Sequence, residues 1–197
     1  MLYKTYHTTP AGKLTLISDG KALKGLWLEK QKHFNKTITE PMPENSKLKI
    51  FQNTKKWLDR YFQKEKPQIS ELQLDPTGND FQKLVWKALQ EIPYGQVTTY
   101  GNIAKQIAKL KGISIMSAQA VGGAIAHNPI SIIIPCHRVI GTKGNLTGYA
   151  GGIDVKIKLL KLENVDMTKM FYSGSSGATK IDINSADGKL LKNILKL

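Results

Sequence analysis

Cysteine is almost missing from this chain: among 197 residues only Cys136 carries a thiol. One cysteine cannot close an internal disulfide and is too few for an all-sulfur zinc site. Arginine is nearly as scarce, with Arg60 and Arg138 alone among 29 basic residues. Acidic residues number 15, so the formal net charge is +14. No run reaches the ~18–20 apolar residues that span a bilayer. The first residues, Met1-Leu2-Tyr3-Lys4-Thr5-Tyr6-His7, lack the apolar core of a signal peptide. These absences argue against a disulfide-stapled secreted scaffold and against a membrane protein. They lead to the expectation of a cytoplasmic protein whose thiol stays reduced. What is abundant is lysine, and a basic excess of this size favours a polyanionic partner, nucleic acid before membrane. Lysine is a point charge suited to phosphates, whereas arginine is the usual bidentate reader of bases. The charge therefore predicts backbone contact more than sequence-specific readout.

Short apolar runs separated by turn residues open the chain. Leu2-Tyr3-Lys4-Thr5-Tyr6, then a turn at Thr9-Pro10-Ala11-Gly12, then Leu14-Thr15-Leu16-Ile17-Ser18, a turn at Asp19-Gly20 and Leu23–Leu28 predict an antiparallel meander. Residues 31–45 read as a loop. Ser46 is expected to cap a helix of about 18 residues, with Leu48, Phe51, Trp57, Leu58, Tyr61 and Phe62 as its apolar stripe. Asp75-Pro76-Thr77-Gly78-Asn79 marks a domain boundary. Beyond it, Asn79 or Asp80 caps a second helix, Thr98 or Thr99 starts a third that ends at Lys111-Gly112, and residues 117–126 form a fourth, built from small residues. Gly122 and Gly123 inside that fourth helix cost roughly 1 kcal/mol each relative to alanine. A helix that accepts this needs something close against its surface, another helix or a nucleic-acid backbone. Two helices across a short glycine-containing linker, in a basic protein, suggest a helix-turn-helix. A last helix spans Ile153–Leu162, with Glu163 at its end. Further on, Gly174-Ser175-Ser176-Gly177 reads as a linker. Residues 182–188 resemble a calcium loop, but the glycine falls one place late and the twelfth position is Asn193, so they read as a turn without calcium.

Cys136 lies in Ile134-Pro135-Cys136-His137-Arg138-Val139, after the β-branched run Ile130-Ser131-Ile132-Ile133-Ile134. Pro135 stops that run and places the cysteine at a bend beside a histidine. Two readings stay open at this point: a buried small hydrophobe, which is what free cysteine most often is, or a nucleophile.

Together these segments resemble the O6-alkylguanine-DNA alkyltransferases, also called methylated-DNA–protein-cysteine methyltransferases. The resemblance rests on Pro135-Cys136-His137-Arg138-Val139, with Ala120-Val121-Gly122-Gly123-Ala124, Asn128-Pro129, Tyr149-Ala150-Gly151-Gly152 and Leu159-Leu160-Lys161-Leu162-Glu163 in the same order and spacing. It is strong over about residues 77–165 and looser before them. It implies an α/β protein with a small ribonuclease-H-like sheet-plus-helix domain at 1–76 and a winged-helix-like, helix-turn-helix domain at 77–167, followed by a C-terminal extension at 168–197. It also implies that the Cys136 thiolate takes the alkyl group from O6 of a guanine flipped out of double-stranded DNA, once, without cofactor or metal, as a monomer. By resemblance His137 accepts the thiol proton through a water, Glu163 orients the imidazole, and Asn128 is the hinge asparagine that ties the helix to the strand leading to the cysteine. Tyr100 donates to the leaving base, Val139 gives a backbone contact to its exocyclic amine, and Tyr149, Ala150 and Gly151 wall the pocket. Thr99, Ala118, Gln119, Gly122 and Gly123 fall at the DNA face, the fourth helix entering the minor groove. Many members place an arginine where this chain has Gln119, which brings no charge and less stacking surface to the gap left by the flipped base.

The rival readings are a non-catalytic lesion-binding protein, whose known relatives lack the active cysteine, a helix-turn-helix regulator, which the missing cysteine-rich domain leaves unsupported, and a cysteine hydrolase. Nothing in the sequence suggests the scissile-bond pocket that a cysteine hydrolase would need.

Overall fold

The computed structural model describes residues 1–29, 31, 42–173 and 180–182. The linker expected at 174–177, most of the loop at 31–45 and most of the calcium-like turn at 182–188 lie outside them.

The N-terminal meander forms as its turns dictate. Strands β1 (Tyr3–Thr9), β2 (Gly12–Ser18) and β3 (Leu23–Leu28) make one antiparallel sheet in the order β1-β2-β3. The Asp19 carboxylate accepts the backbone N–H groups of Lys21 and Ala22, both at 2.9 Å, which closes the second turn. Helix α1 (Lys49–Phe62) lays Ile50, Phe51, Trp57, Leu58 and Tyr61 against the core. It is shorter than expected, and Ser46 does not cap it. The cap is Leu48, without a side-chain bond, because Ser46 and Lys47 are used in a turn ahead of it.

Past the boundary three helices pack together. Helix α2 (Asp80–Gln90) starts at Asn79, which exchanges hydrogen bonds with Gln82 at 2.9 and 3.0 Å. Thr99 caps α3 (Tyr100–Lys111) through Asn102 N–H, and Gly112, at φ 63°, ends it in the left-handed conformation. Ser117 caps α4 (Ala118–Ala126), and Trp86 Nε1 on α2 donates to Ala124 O at 2.8 Å, fixing α4 from behind. The pair α3–turn–α4 is the expected helix-turn-helix. Strand β4 (Thr98–Thr99) pairs in parallel with β5 (Val139–Ile140), and α5 (Ile153–Leu162) follows, leaving Glu163 as its C-cap. Strands β6 (Phe171–Ser173) and β7 (Lys180–Asp182) pair antiparallel. Met170 is buried with Met167, so packing continues past residue 168.

The segment before the cysteine departs from expectation. Its β-branched run is not a strand but a tight turn in which Ile132 adopts φ 69°, a conformation that costs a branched side chain of order 1–3 kcal/mol. Tertiary contacts override the propensity. Leu26 N–H donates to Pro129 O and Ser131 N–H to Leu26 O, both at 2.8 Å, docking the segment on the outer edge of β3. The four isoleucines at 130 and 132–134 are all at most 1% exposed. The sheet thus serves as the bench on which Cys136 is held.

Among the described residues no helix is long and apolar enough to cross a membrane, and no three His, Cys, Asp or Glu side chains are grouped to hold a metal ion.

Candidate active site

Cys136 opens a single turn of 3-10 helix, Cys136–Arg138, and is 4% exposed. Asn128 sits one residue beyond the C-cap of α4, which is His127. Its Nδ2 donates to Cys136 Sγ at 3.1 Å and to Ile134 O at 2.8 Å, while its Oδ1 accepts from Ile130 N–H at 3.1 Å. One amide therefore ties the helix end, the turn and the sulfur together. Burial pushes the thiol up from its ordinary value; the Asn128 bond, the Lys156 charge and nearby main-chain N–H groups pull the other way without winning. The sulfur rests protonated near neutral pH and needs a base to become a nucleophile.

His137 is fully buried, and its Nε2 lies 2.7 Å from Glu163 Oε1. Burial outweighs the carboxylate and lowers the imidazole, so the ring is neutral at pH 7. Burial alone would raise Glu163, but His137 and Arg138 outweigh it and hold the carboxyl well below the usual range. An ionised carboxylate only accepts, so Nε2 carries the imidazole proton. Nδ1 is then a bare lone pair, and it has no hydrogen-bond partner in the protein. That tautomer is the one a general base requires.

Glu163 takes five hydrogen bonds. Oε1 accepts from His137, from Tyr61 Oη at 2.6 Å and from Arg138 Nη2 at 3.0 Å; Oε2 accepts from Arg138 Nε at 2.8 Å and Gly95 N–H at 3.1 Å. Arg138 Nη1 also donates to Ile92 O at 2.6 Å.

Of the other expected pocket residues, Tyr100 and Tyr149 lie near enough to the sulfur to feel its charge. Tyr100 Oη donates to the carbonyls of Thr147 and Gly148, each at 3.2 Å, and burial, with the Cys136 charge, pushes its phenol up to about 12. Gly148 has φ +70°, and a Cβ there would stand 2.5 Å from Tyr100 Oη, so both backbone and space demand glycine. Tyr149 meets the His137 ring edge-on at 6.5 Å. Ala150 is half-buried, and a Cβ on Gly151 would lie 2.6 Å from Leu28 of β3, which pins this loop to the N-terminal sheet. Val139 O is already held by Lys156 Nζ at 2.6 Å. The expected DNA-face residues are not in this cluster. Ala118, Gln119 and Gly123 are exposed on the outer side of α4, Gly122 is half-buried against Tyr100, and the Thr99 hydroxyl is engaged as a helix cap.

This arrangement coincides with matches to two family models that lie within residues 1–165. Residues 80–165 match the family model described as 6-O-methylguanine DNA methyltransferase, DNA binding domain, and residues 1–76 match its ribonuclease-like domain. The chain belongs to the 6-O-methylguanine DNA methyltransferase family. The methylated-DNA–protein-cysteine methyltransferase of Haemophilus influenzae is 40% identical over 167 residues, 83% of this chain and 87% of that protein. The protein of the same name from Methanosarcina barkeri is 46% identical, covering 82% and 97%. The crystal structure of the Mycobacterium tuberculosis O6-methylguanine methyltransferase superposes with a TM-score of 0.70 at 42% identity, over 83% and 93% of the two chains. That of Mycobacterium tuberculosis OGT in complex with DNA gives 0.68 at 40%, over 82% and 92%.

Within this methyltransferase frame, sequence reasoning missed three residues of the cluster. Arg138 was visible only as part of the motif. Tyr61 was read as part of an apolar stripe. Lys156 was not singled out, yet it is fully buried, with Nζ bound to Val139 O and Thr147 O at 2.6 and 2.9 Å, and burial lowers its pKa to about 8. The signal was there: Lys156 is in phase with Leu159 and Leu160 on α5, whereas Lys158 and Lys161 face solvent.

Proposed function

We propose that this protein reverses alkylation damage in DNA by moving the alkyl group from O6 of guanine to Cys136 Sγ, once per molecule. The observation that carries the reading is the buried Asn128–Cys136 contact beside a His137–Glu163 pair whose Nδ1 is bare, in a chain of this family. The proton on sulfur passes to His137 Nδ1 through a bridging water. As the Sγ–C bond forms the C–O6 bond breaks, and the electron pair remains on the purine. Tyr100 supports that charge by turning its hydroxyl from the 147–148 carbonyls to the base, and the proton the purine regains balances the one the thiol lost. Glu163 holds the imidazole and stabilises its cation. Val139, Tyr149, Ala150 and Gly151 line the purine's place. No second product carries the alkyl group away, so the thioether ends the reaction.

The DNA contact is assigned to the outer face of α4. A Cβ on Gly123 would meet no atom of the protein within 4 Å, so internal packing gives no reason for glycine there. Close approach of a phosphate backbone in the minor groove does. Gly123→Ala is therefore expected to stabilise the fold by about 0.5–1 kcal/mol and to weaken binding of duplex DNA, read by a thermal melt and a fluorescence-anisotropy titration. A melt that does not rise, or unchanged DNA affinity, contradicts the assignment. At the neighbouring position, Gln119→Arg adds charge and stacking surface at the extruded base, and transfer from duplex DNA is expected to speed up severalfold, about 1 kcal/mol. An unchanged or slower rate counts against that role.

The reaction itself is tested by intact-mass analysis after mixing with duplex DNA holding one O6-methylguanine: a gain of about 14 Da, a methyl for a hydrogen, mapping to Cys136 and saturating at one per chain. Tight lesion binding without mass gain would favour the non-catalytic reading. The protein is taken to act as a monomer in the cytoplasm.

A further inference from the structure

Orienting one imidazole does not require five donors on Glu163, and one of the five comes from the other domain. Tyr61 lies on α1, 102 residues from Glu163 in sequence, and is 1% exposed. Its ring is immobilised, stacked on Trp57 at 5.6 Å and met edge-on by Phe62 at 5.2 Å and Tyr94 at 5.9 Å. Its hydroxyl donates to Glu163 Oε1, the oxygen that also accepts from His137, and the phenolic oxygen stands 3.5 Å from His137 Nε2.

We propose that Tyr61 is a positioning residue of the transfer reaction: its hydroxyl fixes the Glu163 carboxylate and shares Oε1 with the imidazole, so the N-terminal domain completes the active site. This rests on the transfer reading above. Phenylalanine would fill the same apolar stripe of α1, so packing explains the ring and leaves the hydroxyl unexplained. Each donor on Oε1 disperses charge that would otherwise act on the imidazolium. Removing the Tyr61 donor leaves more of that charge for His137 and frees the carboxylate to turn. The first effect makes the imidazole hold a proton to higher pH; the second blurs the base's aim. The remaining charged and titratable groups facing this pair are Arg138 on the same 3-10 turn, Tyr94 before β4, Tyr149 in the pocket loop, Lys156 on α5, and Cys136 itself. None of them changes in the variant. Burial, then the Glu163 charge, keeps the Tyr61 phenol well above its ordinary value, so it stays a donor throughout.

The test is Tyr61→Phe in the full chain, with the single-turnover methyl-transfer rate measured by quenched intact mass from pH 5 to 9. The rate at pH 7 should fall about 3- to 30-fold, a fraction of the roughly 10²–10⁴ that a positioned base supplies. The acid limb of the profile should move up by about 0.5–1 unit. A purely structural role predicts a slower reaction with an unmoved midpoint, and that result, or a superimposable profile, overturns the proposal. Tyr94→Phe is the control, because its hydroxyl donates to Leu162 O at 3.1 Å and not to Glu163; its midpoint should stay. Should Tyr61→Phe fail to fold, 3-fluorotyrosine placed at position 61 keeps ring and hydroxyl and donates more strongly, so the acid limb should move down instead; an unmoved limb overturns the proposal. Wild-type protein that gains no mass removes the transfer reading and this inference with it, whereas wild-type gain with an unmoved midpoint removes this inference alone.

Discussion

Cys136→Ala is expected to abolish methyl transfer while leaving the affinity for lesion-containing duplex within about threefold of wild type, ~0.7 kcal/mol. The first half follows from chemistry, since Cys136 is the only thiol in the sequence and no other residue can supply a thiolate. The second half follows from where the sulfur sits. Binding is assigned to α4 and to the pocket loop, and neither is built on Sγ. The local structure also survives, because Asn128 Nδ2 keeps its bond to Ile134 O when the sulfur is removed. The small void left behind should cost about 1 kcal/mol or less. Anisotropy with an O6-methylguanine duplex, paired with intact mass, separates the two quantities. Residual alkylation of the variant at another residue, or a large loss of lesion affinity, would contradict this division of labour.

Glu163→Gln has the largest expected effect on stability. The glutamine has nearly the same shape, but its amide offers one accepting oxygen where the carboxylate accepted from five donors. Whichever way it turns, its NH2 faces either Arg138 and Gly95 or His137 and Tyr61. Arg138, 6% exposed, is left without its anion. Breaking a buried ion pair from one side costs roughly 3–5 kcal/mol. The same substitution frees the imidazole, and transfer should slow by about 10²-fold. The acid dependence carries the sign. Glu163 is held well below its usual value in the folded state. Its stabilisation is therefore complete above the unfolded carboxyl value, about 4.3, and is lost as pH falls below it. The stability gap between wild type and Glu163→Gln should be constant from pH 7 to about 5 and should narrow below that, as followed by chemical denaturation at each pH. A gap that widens in acid would show that Glu163 is not the ionised hub of this cluster.

Much of the architecture could be read along the chain. The turn residues at 9–12 and 19–20 delimit a meander that forms as expected, and Ser117, Thr99 and Gly112 act as the caps and stop their residue types imply. Ser46 misled because capping is a backbone event: the chain at Leu48 is still extended, and the serine two residues earlier is already spent on a turn. The run at 130–134 misled for a tertiary reason. Its β-branched residues favour a strand, but the outer edge of β3 and the Asn128 amide hold its backbone in a turn.

The order of residues by itself placed the lone thiol, its neighbouring imidazole and the helix that ends at Glu163, because these lie in local motifs whose spacing fixes them; the reading of that thiol as a nucleophile came from the resemblance of those motifs to a known family. It also determined the small-residue face of α4. Only the folded chain decided that Glu163 is buried rather than solvated, that Arg138 neutralises it, that Lys156 points inward, and that a tyrosine from the first domain closes the cluster. The physical reason is range. Caps, turns and periodicity act over a few residues, whereas a buried carboxylate is stabilised by whichever donors the tertiary fold brings within about 3 Å, and sequence separation carries no record of that distance.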